Sequence, residues 1–181
     1  DIAYVRVPRR NANGSAVWPD VAQPRRMEPG GDLVLLHPDG TEDVLVDVNA
    51  PQSVADPQVS LDGEWIYYAL FYDGLNPKGA DLYKVHVRTK EIVRLTFQEW
   101  TPNRAGVPRP AWGVFNLGPA PGPKGKLIFV SDRNGFEATN PGYASNALAL
   151  QLTAIEEPTG DIETIAPMNL GSALHPVWLK D

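Results

Sequence analysis

Apolar residues come in short runs, each cut off by Gly, Pro, Asn or Asp: Ile2 to Val5, Leu33 to Leu36, Ile66 to Tyr72 and Leu127 to Val130 are the clearest. Eighteen prolines and sixteen glycines are spread along the whole chain and leave little room for helices of ordinary length, which predicts an all-β fold. The run EWIYYALFY is apolar on both faces of a strand. Trp65, Tyr67, Ala69 and Phe71 point one way, while Ile66, Tyr68, Leu70 and Tyr72 point the other. A one-sided sheet alternates apolar with polar, so a strand apolar on both sides belongs to a sheet stacked between two others.

The runs repeat. Ile2 to Val5, Ile66 to Ala69 and Leu127 to Val130 each precede a variable polar stretch and then a third strand: DLVLL from Asp32, DLYKV from Asp81 and ALALQL from Ala147. A short turn carries each into a fourth strand, in HPDGTEDVLV, RTKEIVRL and EEPTGDIETIA. Asp39-Gly40 and Thr159-Gly160 supply residues that tolerate positive φ. A first strand introduced by proline precedes two of the units, DPQVS at Asp56 and RPAWGVF at Arg109, and HPVWL at His175 opens another.

The unit is a four-stranded antiparallel meander of roughly 50 residues, the size of a propeller blade. The predicted organisation is a partial blade over 1–50, holding second to fourth strands and a long insertion at 8–31. Complete blades follow over 51–97 and 98–166, then the first strand of a next blade over 167–181. About three blades make an incomplete ring, since roughly four to eight close one. The remainder is expected in a longer polypeptide, toward which WLKD runs, or in a second copy that completes the ring by self-association.

DPQVSLDGEWIYYA, followed by DLYKVHVRTKEIVRLT, resembles the repeat of TolB-like (PD40, WD40-like) β-propellers, which reads approximately D-P-x-x-S-P-D-G-x-x-I-x-Y and then D-I-Y and R-L-T. KLIFVSDRNGF at Lys126 resembles the second strand and outgoing loop of the same blade type. Leu61 stands where that pattern has proline, and NLGPAPGPKGK replaces its S-P-D-G turn in the third unit. YVRVPRR, DLVLLHPDG, DGEWIYYALF and NLGSALHPVWLKD further resemble the propeller domain of hydrazine synthase alpha-subunit-like proteins. These resemblances imply a non-catalytic scaffold within a larger periplasmic or secreted protein, binding a protein partner or neighbouring domains of the same chain. The second implies an alternative, the propeller region of a haem-containing redox enzyme, with haem c in those neighbours and no cofactor within this segment. Other roles open to a propeller are the cap of a serine peptidase and a small-ligand sensor.

Composition narrows the chemistry. A net charge of −6 with scattered basic residues gives no stripe able to neutralise a phosphate backbone, so nucleic acid is not the expected partner. No apolar run approaches the twenty or so residues of a membrane span. The absence of Cys excludes disulfides, thiolate metal sites and CxxCH haem attachment in this segment. There is no initiator Met or charged-then-apolar leader, which suits a processed or excised chain. No G-x-S-x-G surrounds Ser15 or Ser172, so no catalytic residue is assigned. Glu156-Glu157 lies beside a turn and reads as a solvated edge.

Asp39-Gly40 and Asp62-Gly63 read as turns between apolar runs, and DRNGFEATN breaks the spacing of a calcium loop. His37, His86 and His175 share no local ligand spacing, so no metal site is assigned. His37 and His86 read as structural. His175 takes the place of Asp56 at a first strand near the ring's channel, bonded to backbone or ligating a metal or haem held by a neighbouring domain.

Two long loops, Pro8 to Gly31 and Phe97 to Arg109, exceed the usual connection length. Their Trp18, Arg25, Arg26, Trp100, Arg104 and Arg109 are types enriched at interface hot spots. These loops emerge on one rim and form a binding surface, or else Trp18 and Trp100 fold back over blade edges.

Overall fold

The computed structural model describes residues 1–17, 23–137, 148–157, 159–166 and 171–179. The all-β expectation holds: three antiparallel sheets account for the described strands, and the one helical element among the described residues is a 3-10 turn at Pro123–Gly125. The first sheet is β1 (Ile2–Arg6), β2 (Asp32–Leu36) and β3 (Glu42–Val46). The second is β4 (Ser53–Val59), β5 (Trp65–Phe71), β6 (Ala80–His86) and β7 (Ile92–Arg94). The third is β8 (Asn116–Pro121), β9 (Lys126–Ser131), β10 (Gln151–Glu156) and β11 (Asp161–Ala166). Within each sheet every strand pairs with its neighbour in sequence, so each is an up-and-down meander and none closes on itself. These are three blades of a β-propeller, in an incomplete ring.

The second sheet is the middle of the stack, and its strand β5 shows why both its faces are apolar. Ile66 and Tyr68 join Leu33, Leu35, Leu45, Val54 and Val85 in the core shared with the first sheet. Tyr67, Ala69 and Phe71 turn the other way, against Phe115, Leu127 and Phe129 of the third. Ile66, Tyr68 and Phe71 are almost wholly removed from solvent. Each such side chain contributes about 1.5–3 kcal/mol by leaving water.

Polar groups at the ends of the strands tie the blades. The Asp81 carboxylate, fully buried at the start of β6, accepts hydrogen bonds from Tyr72 Oη (2.8 Å), Thr96 Oγ1 (2.7 Å), Asn116 Nδ2 (3.0 Å) and the Gln98 backbone N–H (3.1 Å), and pairs with Arg94 (2.8 Å). Its counterpart Asp32, at the start of β2, accepts the Val48 N–H at 3.1 Å. The recurring Asp-Leu is thus the anchor that gathers the chain as it leaves a fourth strand. On the opposite rim Tyr67 and Lys84 both donate to Glu157, joining the second and third sheets.

One first strand and one third strand lie elsewhere than expected: the third strand read as ALALQL from Ala147 is instead β10, beginning at Gln151. RPAWGVF is loop over most of its length, and the inner strand of the third sheet is Asn116–Pro121. The reason is a bulge. In β4, Ala55 pairs with Ala69 and Gln58 with Tyr67, so Asp56-Pro57 opposes one residue; in β8, Gly118-Pro119 does the same between Leu117 and Ala120. Asp56 and Gly118 carry the positive φ this requires, 53° and 58°. Arg109-Pro110 has the proline but precedes the loop. The turns read from Asp39-Gly40 and Asp62-Gly63 are present, each Asp accepting the backbone N–H two residues on and each Gly at positive φ.

Candidate functional site

The residues that build the site are the bulges themselves. Asp56 Oδ2 accepts the backbone N–H of Gly118 at 2.9 Å, which sets the inner strands β4 and β8 side by side. The tail repeats the arrangement once more. His175 has φ 47° and precedes Pro176, as Asp56 precedes Pro57. A Cβ on Gly118 would lie 3.3 Å from Pro176 Cδ, so the tail lies close against β8. Trp178 completes this contact, donating from Nε1 to the Ala120 carbonyl at 2.8 Å, its indole over Gly122.

Over this row of bulges lies the end of the long insertion. Met27 donates its N–H to the Gly74 carbonyl at 3.1 Å, and any Cβ on Gly74 would fall 2.0 Å from the Met27 carbonyl oxygen, so only glycine allows the approach. Gly30 and Gly31 continue along the second sheet, bonded to Gln52 and Val54. Between insertion, inner strands and tail lies a cleft of about 380 Å³. Its walls are largely apolar, with Met27, Phe71, Leu117, Val130 and Leu174 prominent, and among the described residues its polar lining includes Arg26, Glu28, Asp56 and His175. An apolar recess with a few convergent polar groups is the usual form of a binding site.

The sequence-derived candidates take different places. Arg25 reaches the third blade, donating from Nε to Asp132 Oδ2 at 3.1 Å and from Nη2 to the Leu148 carbonyl. Asp132 is buried and also accepts the Phe115 N–H at 2.8 Å. Burial pushes its carboxyl above the ordinary range, while Arg25 and that N–H pull it down. Arg25 is therefore an internal latch of the insertion. Arg26, beside it, is exposed on the cleft.

Trp100 folds over Gly135 and donates from Nε1 to the Val107 carbonyl at 3.0 Å, within its own loop. Arg109 donates to Gln98 Oε1 at 3.1 Å, and Arg104 faces solvent. The structure brings Arg25 and the Trp100 loop to one turn. Arg25 holds Asp132, while Thr101 and Asn103 donate to the Arg133 and Asn134 carbonyls. His175 lines the cleft, its Nδ1 3.9 Å from Asp56 Oδ1. Trp18 lies outside the described residues. Among the described residues no three His, Cys, Asp or Glu side chains gather as a metal site, and no helix is long and apolar enough to cross a membrane.

Sequence reasoning passed over Asp56 and Gly118 as site residues. The signal was present in the shared X-Pro step of Asp56-Pro57, Gly118-Pro119 and His175-Pro176, with Arg109-Pro110 as a competing match.

No protein-family model matches the chain, and no curated protein matches it. Among solved structures it is similar to a putative TolB from Agrobacterium tumefaciens, with 20% identity over 77% of this chain and 42% of that one and a TM-score of 0.48. It is also similar to TolB from Acinetobacter baumannii, with 14% identity over 76% of this chain and 38% of that one and a TM-score of 0.33. A puromycin hydrolase is similar over 91% of this chain and 22% of its own, with 20% identity and a TM-score of 0.48. The chain thus spans less than half the length of each of these proteins.

Proposed function

We propose that this chain is the binding part of a β-propeller scaffold, which holds a partner protein or a neighbouring domain of its own polypeptide at the cleft end of the inner strands. One observation carries this reading: three separate parts of the chain, the latched insertion, the paired bulges and the tail, converge on a single apolar cleft with charged groups at its wall. The buried Asp81 and Asp132 networks keep the blades in fixed relation, so the cleft is presented on a rigid frame. A periplasmic or secreted location is part of the proposal and rests on the sequence resemblance.

The test is site-specific photo-crosslinking in the cells that make the full-length protein. A benzoylphenylalanine replacing Leu174 in the cleft is expected to capture one protein or domain, and the same group at Lys124, on the opposite rim, is expected to capture none. Equal capture from both positions, or none from Leu174, rejects the scaffold reading.

A second reading has one observation behind it. The His175 side chain is 69% exposed, and Nε2 has no hydrogen-bond partner among the described residues, leaving it open to a haem iron brought by a neighbouring domain. A His175→Ala substitution that leaves the visible spectrum of a haem-bearing full-length protein unchanged rejects that reading.

A further inference from the structure

We infer that the cleft selects an apolar group carrying a primary ammonium ion, with Asp56 as the residue that reads the charge; this inference rests on the scaffold reading of the same cleft. Asp56 is held in a left-handed conformation by its bulge, and its Oδ2 is engaged by the Gly118 N–H at 2.9 Å. The carboxylate is therefore fixed in orientation before any ligand arrives. Its second oxygen, Oδ1, has no hydrogen-bond donor within reach among the described residues. The His175 ring lies 3.9 Å away, beyond hydrogen-bond distance and on a largely exposed side chain able to swing aside.

A carboxylate with one oxygen tied and the other open, on the wall of an apolar recess, complements a donor with a compact positive charge. An ammonium meets it with three N–H groups, and its apolar body covers Val7, Leu75 and Leu174, the apolar side chains of the wall that are open to solvent. Among the described residues the cleft carries Asp56 and Glu28 against Arg26, an excess of negative charge that disfavours an anion. A recess of about 380 Å³ has room for a side chain of leucine or phenylalanine size together with the backbone that carries it. The free N-terminal residue of a protein segment presents this chemistry, as does a small free amine.

The inference is tested on the isolated chain at pH 7 and low salt by titration calorimetry with 2-phenylethylamine, 2-phenylethanol and 3-phenylpropanoate. A charged hydrogen bond in a partly apolar site separates the amine from the alcohol by about tenfold in affinity. Asp56→Asn keeps an acceptor for the Gly118 N–H and removes the charge; it is expected to bring amine and alcohol within about twofold. Amide spectra of the variant confirm that the inner strands are intact, and the ratio measured on the unaltered protein needs no variant. An alcohol bound as tightly as the amine, a carboxylate bound more tightly than either, or an Asp56→Asn protein that still prefers the amine overturns the inference.

Phe-Gly-Gly amide with a free or an acetylated N-terminus separates the sources. A tenfold loss on acetylation identifies a protein N-terminus, and binding of the small amine alone identifies a free amine. Failure of amine selection alongside a Leu174 crosslink overturns this inference and leaves the scaffold reading standing. Amine selection without any crosslink does the reverse.

Discussion

Gly118 donates its backbone N–H to Asp56 Oδ2 across 2.9 Å, joining residues at the same step of two successive blades. Each has positive φ and each precedes a proline, so one backbone device both bends the inner strand and links it to the next. The tail's His175-Pro176 extends the row.

Gly118→Ala is expected to destabilise the chain by about 1–2 kcal/mol. The substituted residue is strained at φ 58°, and its Cβ meets Pro176 at 3.3 Å and the His175 backbone at 3.5 Å. Urea denaturation measures the loss, and hydrogen exchange of residues 173–179 is expected to accelerate more than that of β5. Unchanged stability contradicts the bulge assignment.

Arg25→Met removes the latch and leaves the Asp132 carboxylate buried without its cation. Breaking such a pair costs about 3–5 kcal/mol, less here because Arg25 is partly exposed. The deficit has a definite pH dependence. Burial already raises the Asp132 pKa and losing Arg25 raises it further, so the folded state holds that proton more tightly than the unfolded state. Stability of the variant relative to the parent is expected to recover as pH falls from 7 toward 5. Adding Asp132→Asn is expected to restore part of it at pH 7. A deficit that is the same at both pH values, or a double variant weaker than the single, would count against the latch.

Asp81→Ala and Asp32→Ala occupy matching positions with different surroundings. Asp81 gathers donors from Tyr72, Thr96, Gln98 and Asn116 and pairs with Arg94, and its loss strands buried groups. Asp32 has the Val48 N–H and a largely exposed Arg6. Denaturation midpoints are expected to show a loss of about 3 kcal/mol or more for the first and about 1 kcal/mol for the second. Equal losses would remove the case for Asp81 as the tie between blades.

Tyr67, Tyr68 and Tyr72 predict alkaline lability. Burial raises all three phenols, and hydrogen bonding to Glu157 raises Tyr67 further, as bonding to Tyr83 does Tyr72. In the unfolded chain they ionise near their ordinary value of about 10, so the unfolded state loses protons that the folded state keeps. Their contribution is complete below about pH 10 and declines as pH rises above it. Phenolate absorbance at 295 nm from these residues is expected to appear together with loss of the β-sheet circular dichroism signal. Full ionisation before unfolding would show that the phenols are accessible.

What the sequence by itself determined was local. The spacing of apolar residues defined most of the strands, the two-faced run of β5 required sheets on both sides, and Asp39-Gly40 and Asp62-Gly63 marked turns. Each of these depends on neighbours within a few residues, where backbone preference and side-chain alternation act directly. Tertiary structure decided which X-Pro step became the inner strand of the third sheet, because Gly118 is selected by an acceptor 62 residues away on Asp56. It decided the role of Arg25, whose partner is 107 residues distant, and it separated that latch from the adjacent Arg26 on the cleft. A cleft walled by an insertion, two bulged strands and a tail has no local pattern to announce it. It exists because stacked blades bring their equivalent positions to one side of the molecule.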